Sequence, residues 1–354
     1  MLPITRRNLL ASAAFVAAMA ATATARADEP VDVVASFSIL GDMVSVVGGE
    51  RVHVQTLVGA GQDAHVFDPA PADARKLADA DLVVVNGLGF EGWMDRLIEA
   101  SGYGGTVVVA TGGIDPLPGG DEDHHDHDEH AEDEDDHDHD EHAEDDHDHD
   151  EHAEDDHHED HAAVAGHDEH EEGHHDHGAY DPHAWQDLAN AAEYVRNIVA
   201  GLTAVDPEGA ATYEANAAAY LEQIETLDST IHETMDALPT DARTVVTSHD
   251  AFAYFGHAYG LVFLAPEGMS TVDESSAAEI AALIDQIERE HIAGLFVENI
   301  SDNRVLERIA ADTGVAVGGT LFSDALSGAD GPAATYLAMM RHNATQFSTA
   351  LQAF

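Results

Sequence analysis

The sequence predicts an α/β protein of two lobes, each a small parallel sheet flanked by helices, joined by a long rigid helix. Three observations carry this. Both halves of the chain alternate short β-branched runs with helical stretches. The strand-like runs are nearly continuously apolar rather than alternating, as strands buried on both faces are. A helical segment of about thirty residues without an interior proline separates the halves.

Taken in order, the chain opens with Arg6 and Arg7, an alanine-rich apolar run from Leu9 to about Ala23, and small residues ending Ala25-Arg26-Ala27. That pattern predicts an export signal over residues 1–27 with cleavage after Ala27, and hence a periplasmic protein. Thr5 to Leu10 resembles a twin-arginine signal, so export folded or unfolded both stay open. Without the signal and an insert over 121–177, about 270 residues remain, enough for two domains of ordinary size. The N-terminal lobe is assigned to 28–186 including the insert, a connecting helical segment to 187–238, and the C-terminal lobe to 239–354.

In the first lobe, strands are expected at Val31 to Phe37, Val52 to Val58, Asp81 to Asn86 and Thr106 to Ala110. Helices are expected at Ile39 to Val47, Ala70 to Ala80 and Gly92 to Ala100. The second lobe repeats the rhythm with strands at Thr244 to Ser248, Leu261 to Ala265, Gly294 to Glu298 and Val315 to Leu321, and helices at Ser275 to Glu290 and Asn303 to Thr313. Between them, Pro207 starts and Pro239 ends the long helix. Its apolar positions Tyr213, Ala217, Tyr220, Ile224, Leu227, Ile231 and Met235 recur three or four apart, which puts one face against the lobes.

The formal charge is −57, from 13 basic and 70 acidic residues. The insert holds 30 of the acidic residues, 18 of the 26 histidines and no Lys or Arg; the rest of the chain is still strongly acidic. Such a field repels nucleic acid and anionic lipid and attracts cations, although an acidic surface also suits a salty habitat. With no cysteine, disulfides and thiolate metal sites are excluded, and any metal must be held by nitrogen and oxygen.

Four motifs each carry one metal-capable side chain beyond a predicted strand: His65 in QDAHVFDP, His183 in YDPHAWQD, His249 in TSHDAFAYF and Asp324 in LFSDALSG. Open parallel sheets build their sites outside the carboxyl ends of strands, and two lobes facing one another would bring the four together. Three imidazoles and one carboxylate suit a tetrahedral zinc ion. A single His in a polar turn is usually a cap or surface residue; four at corresponding positions are harder to explain so.

These motifs, with FSILGD, NGLGFEGW, ENISD, SDALSG and YLAMMRHN, resemble those of the cluster A-I solute-binding proteins, which deliver zinc or manganese to ABC importers; the likeness is strongest to the AztC-type zinc-binding branch. It runs from about Val31 to the C-terminus. It implies two lobes joined by one long helix, a metal held between them by His65, His183, His249 and Asp324, and, as partners, a membrane permease and through it a cytoplasmic ATPase, with a periplasmic zinc chaperone as a further candidate. A monomer is expected, with Zn2+ as cargo at one tight site. Manganese-selective members tend to carry glutamate where His249 stands, and imidazole favours zinc over manganese. Two departures stand out: the disulfide of some zinc-specific relatives cannot form here, and the insert is unusually long.

The competing readings are a zinc buffer or metallochaperone, in which the insert is the main business, a manganese receptor, and a zinc hydrolase. A hydrolase needs an open coordination position, which a fourth ligand closes, and the chain has no Gly-x-Ser-x-Gly elbow. Glu298 is read either as a partner steadying a ligand imidazole or as a packing residue. His53, His232, His257, His291 and His342 lack partners at ligand spacing and are read as structural or surface residues, and Trp93 and Trp185 as packing residues. In the insert, Asp135 to Glu144 reads DDHDHDEHAE and Asp145 to Glu154 repeats it. Sequence this polar cannot bury a core. It is read as a low-affinity zinc collector, a zinc sensor or a solubilising spacer.

Overall fold

A computed structural model describes residues 29–119, 180–271, 275–292 and 294–352. The export signal expected over 1–27 and the histidine-rich insert over 121–177 lie outside the described residues. No described helix is long and apolar enough to cross a membrane.

The first lobe contains β1 (Val31–Phe37), α1 (Ser38–Gly48), β2 (Val52–Val58), α2 (Pro71–Asp79), β3 (Leu82–Val85), α3 (Met94–Ser101) and β4 (Thr106–Val109). Its strands form a four-stranded, all-parallel sheet in the order β2-β1-β3-β4. The inner strands are covered on both faces: six of the seven residues of β1 and all four of β3 are buried. After the insert come α4 (Leu188–Val205) and α5 (Ala210–Asp236). Helix α4 lies on β3 and β4 and against α1. It is capped by the Asp187 side chain, which accepts from the Ala189 amide at 2.8 Å.

Helix α5 is the long connection, 27 residues and about 40 Å at 1.5 Å per residue. Its buried positions are the same seven that the apolar spacing marks out: Tyr213, Ala217, Tyr220, Ile224, Leu227, Ile231 and Met235. They pack against α1 and α4 of the first lobe and against two helices of the second, so one helix is cemented to both. At its start Asp206 accepts from Arg51 and from the Tyr213 hydroxyl, tying the head of the helix to the beginning of β2.

The second lobe repeats the plan with β5 (Thr244–Val246), α6 (Ala253–Tyr259), β6 (Val262–Leu264), α7 (Ala277–Glu290), β7 (Gly294–Glu298), α8 (Arg304–Thr313), β8 (Val317–Leu321) and α9 (Tyr336–Leu351). Its parallel sheet has the corresponding order β6-β5-β7-β8. The expected two-lobed α/β architecture is therefore present. Strand β5 stops short of Ser248 because the chain turns there, with the Thr247 hydroxyl donating to the His249 carbonyl at 3.0 Å. One large core runs through the first lobe, α5, α6 and α9, while α7 and α8 close on a separate cluster of seven buried side chains, Val246 to Ile309.

Candidate metal centre

Each of the four sequence-predicted ligands emerges beyond the carboxyl end of a strand: His65 after β2, His183 beyond β4, His249 after β5 and Asp324 after β8. The structure brings all four together, with one donor atom from each lying within 4.8 Å of the others. Asp324 is at the centre. Its Oδ2 is 3.1 Å from His65 Nε2 and 3.3 Å from His249 Nε2, and its Oδ1 is 3.7 Å from His183 Nε2. A tetrahedron with bonds of 2.0–2.2 Å has edges of about 3.3–3.6 Å, so these separations are close to those of donors sharing one ion.

Burial makes the arrangement chemically pointed. His183, His249 and Asp324 are fully buried, and only His65 retains slight exposure, 6% of its side chain. His183 Nε2, His249 Nε2 and Asp324 Oδ1 have no hydrogen-bond partner. Buried polar atoms left unpaired cost free energy, and three of them converging on one point are a donor set suited to a cation.

The other ring nitrogens are engaged by carboxylates. His183 Nδ1 is 2.7 Å from Asp181 Oδ1, which also accepts from the His183 amide at 2.8 Å. His249 Nδ1 is 2.7 Å from Glu298 Oε2, and Glu298 Oε1 accepts from the His249 amide at 2.9 Å. Asp181 thus bonds both the ring and the backbone of His183, while Glu298 bonds the backbone of His249 and lies at ion-pair distance from its ring; both favour a proton on Nδ1 and turn Nε2 toward the centre. Of the two readings of Glu298, the geometry supports the partner that steadies a ligand imidazole.

Burial disfavours charge on both rings, but the acids outweigh it. Asp324 and Asp181 raise the pKa of His183, and Glu298 and Asp324 raise that of His249 well above the ordinary imidazole range. Burial would likewise push Asp324 up, yet His249 and His183 hold it well below the usual carboxylate range. Both rings therefore hold a proton to higher pH than a free imidazole, and an incoming cation competes with those protons.

Contacts across the lobes complete the centre. Trp185 Nε1 and Gln186 Nε2 both donate to the Ser323 carbonyl, at 2.9 and 3.1 Å, immediately before Asp324. The Leu326 amide donates to the Ser38 hydroxyl at 3.0 Å, and the Gly61 amide to the Leu326 carbonyl at 2.9 Å. Sequence reasoning missed Asp181, although its place two residues before His183 is the spacing of a local side-chain-to-backbone bond. It also took Trp185 for packing alone; nothing in the sequence shows that its indole reaches a segment 138 residues away.

The remaining histidines among the described residues stand apart from the centre. His53 pairs with Asp32 at 2.8 Å on the surface, His232 lies 3.7 Å from Asp228 on α5, and His342 Nε2 is 2.9 Å from the Thr320 carbonyl. His257 lies within α6, and His291 closes α7 with a positive φ of 54°.

Two strings have the spacing of catalytic fingerprints. His170-Glu171-Glu172-Gly173-His174 matches the zincin pattern, but it falls in the insert, outside the described residues, where the density of His and Glu makes such a spacing a product of composition. Gly87-Leu88-Gly89-Phe90-Glu91-Gly92 follows β3 with dinucleotide-loop spacing. There the amides of Asn86 and Gly87 donate to the buried Glu91 carboxylate, at 2.6 and 3.2 Å, so they are already used and face a negative charge that a phosphate would oppose.

The chain matches the family model described as ZnuA, zinc-uptake complex component A, periplasmic, over residues 33–350. It is 30% identical over 330 residues to the manganese-binding lipoprotein MntA of Halalkalibacterium halodurans, covering 93% of this chain and 91% of that protein. It is 28% identical over 338 residues to the iron ABC transporter substrate-binding lipoprotein MtsA of Streptococcus pyogenes, covering 93% and 91%. Among solved structures, the Mn-bound periplasmic metal binding protein from Candidatus Liberibacter asiaticus superposes with a TM-score of 0.70 at 27% identity, covering 91% of this chain and 99% of that one.

Proposed function

The chain belongs to the ZnuA family of periplasmic metal-uptake components, and from that membership we propose that it captures zinc and hands it to the permease of an ABC importer. As a family member it is an exported metal-binding receptor, not an enzyme. The cargo is the finer question, because relatives are named for manganese and iron as well. The donor set carries the zinc reading: three buried imidazole nitrogens and one carboxylate, His65, His183, His249 and Asp324, around one point. Such nitrogen-rich sites favour zinc over manganese, which prefers oxygen. A manganese receptor is the second reading, favoured by the relatives' names alone.

The same reading places the signal cleavage after Ala27 and makes the mature chain a monomer working with a permease, a cytoplasmic ATPase and, as a further partner, a periplasmic zinc chaperone. It also assigns the nearest likeness to the AztC-type branch. The insert then serves as a weak collector or sensor. Its flanks support separability, since Pro118 and Tyr180 form an antiparallel bridge and the Asp181 amide donates to the Leu117 carbonyl at 3.0 Å.

Competition titration of the metal-free protein with zinc and with manganese tests this. One tight zinc site, held far more strongly than manganese, together with weaker sites that vanish when 121–177 is removed, is the expected result. Tighter manganese binding would replace zinc as the cargo. Many equivalent weak sites and no tight one would make the protein a buffer.

A further inference from the structure

The loop Asn86–Trp93, whose glycine spacing imitates a cofactor loop, has another use. It touches the backbone just before each of the two first-lobe ligands. Asn86 Nδ2 donates to the Pro182 carbonyl at 2.8 Å, one residue before His183. Trp93 Nε1 donates to the Ala64 carbonyl at 2.9 Å, one residue before His65. Between these anchors the Phe90 ring lies edge-on to both imidazoles, with centroids 5.0 Å from His65 and 6.1 Å from His183.

The loop is itself held in an unfavourable backbone conformation. Gly87, Leu88 and Gly89 have φ of 92°, 54° and 82°, three successive positive values of which one belongs to a leucine. Strain of this kind persists only where the surroundings over-determine it, and it gathers at functional sites. Here the surroundings are explicit. The buried Glu91 carboxylate accepts from the Ser36 hydroxyl at 2.5 Å and from the amides of Asn86 and Gly87. The Asn86 carbonyl accepts from the Thr111 hydroxyl at 2.7 Å, and Asn86 Oδ1 from the Tyr194 hydroxyl at 2.5 Å. A Cβ on Gly87 would meet Val109 Cγ1 at 2.6 Å and Thr111 Oγ1 at 2.8 Å, so the turn is closed to any other residue.

We infer that Asn86–Trp93 is a template that fixes the separation of His65 and His183, with Asn86 and Trp93 as positioning residues, so that the first-lobe half of the centre is set before a cation arrives. This deepens the assignment of the four ligands and rests on it. The physical gain is preorganisation: two imidazoles anchored through their preceding carbonyls need no ordering on binding, and small errors in their spacing are not absorbed by flexible loops.

Cobalt is the probe, because its visible absorption reports coordination geometry as well as occupancy. Trp93→Phe removes the indole donor and keeps an aromatic ring; Asn86→Asp removes the amide donor and keeps the acceptor for Tyr194. In the full chain each is expected to weaken cobalt by about tenfold and to alter its visible spectrum, as loss of a group that orients ligands does. Phe347→Leu, in the core beneath β8, should lower the melting temperature without changing either readout. Wild-type affinity and spectrum in both loop variants would overturn the template. His65→Ala separates the two levels of the argument: if it too retains the wild-type spectrum, the ligand assignment fails, and if it loses it while the loop variants do not, only the template fails. A second measurement is independent of any variant. Hydrogen exchange of the wild-type chain should show residues 86–93 equally protected with and without cobalt, and protection gained only on cobalt binding would overturn the inference.

Discussion

The two lobes share one strand order and each supplies two of the four proposed ligands, but their cores are divided differently. In the first, side chains from both faces of the sheet, Leu77 of α2 and Met94 of α3 included, join the same core as α1, α4 and α5. In the second, the outer layer of α7 and α8 rests on a small cluster of its own around Leu283, Ile287, Leu295 and Ile309. The ligands differ correspondingly. His65 and His183 follow carbonyls held by side-chain donors of one loop, whereas the carbonyl before His249 accepts from the Glu267 backbone amide at 3.4 Å, and Glu298 at the end of β7 faces both the amide and the ring of His249. Asp324 belongs to the second lobe by sequence, yet the carbonyl before it is held by Trp185 and Gln186 of the first. Two half-sites anchored by different groups thus share a single fold plan, with the carbonyl before the shared carboxylate held from the first lobe.

The harshest test of that contrast is removal of the ligands. Alanine at His65, His183 or His249 should weaken zinc by orders of magnitude in competition titration; a variant within tenfold of wild type would remove that residue from the centre. Next in size is the outer layer of the second lobe. Leu295→Ala should cost about 2–5 kcal/mol in denaturant unfolding, and hydrogen exchange should quicken in α7 and α8 while first-lobe amides stay protected. Equal quickening in both lobes would mean that the separate cluster is not a separate unit of stability.

Smaller effects distinguish the carboxylates. Glu298→Gln and Asp181→Asn should each weaken zinc by roughly 10–100-fold. Glu298→Gln should be the more harmful, because the anchor on the carbonyl before His249, the Glu267 amide at 3.4 Å, is longer than that of Asn86 on Pro182 at 2.8 Å.

The raised pKa values of His183 and especially His249 mean that protons are held to higher pH in the metal-free centre, so zinc affinity should fall as pH falls, with His249 the last to surrender its proton. In the metal-free protein the same pairs stabilise the fold fully below about pH 6.5, the unfolded value, and that contribution is lost as pH rises through the raised folded values. In Glu298→Gln the dissociation constant for zinc, measured in binding isotherms across the range and scaled to its own alkaline plateau, should begin its acid rise at lower pH than in the wild type; an unchanged onset would detach Glu298 from the protonation of His249. The smallest effect is expected at His53, exposed and paired only with Asp32, where alanine should leave zinc affinity and melting unchanged within error.

Much of this architecture is legible in one dimension because its causes are local and periodic. Continuous apolar runs are what a strand buried on both faces requires, and the seven-residue stripe of α5 is what a helix packed on one side requires. The four proposed ligands follow from the same logic, since loops at strand ends are where open parallel sheets place chemistry. The sequence alone therefore determines the two-lobed plan, the bridging helix, the exclusion of thiolate chemistry and the four candidate donors. The tertiary structure decides what depends on contacts between segments far apart in the chain: that Glu298 faces His249, that Trp185 reaches Ser323, and that the Ser36 hydroxyl holds the Glu91 carboxylate inside a glycine loop shaped like a cofactor site. Those contacts have no period to read, because an indole or carboxylate that steadies a ligand 49 to 138 residues away leaves no mark on its own local pattern.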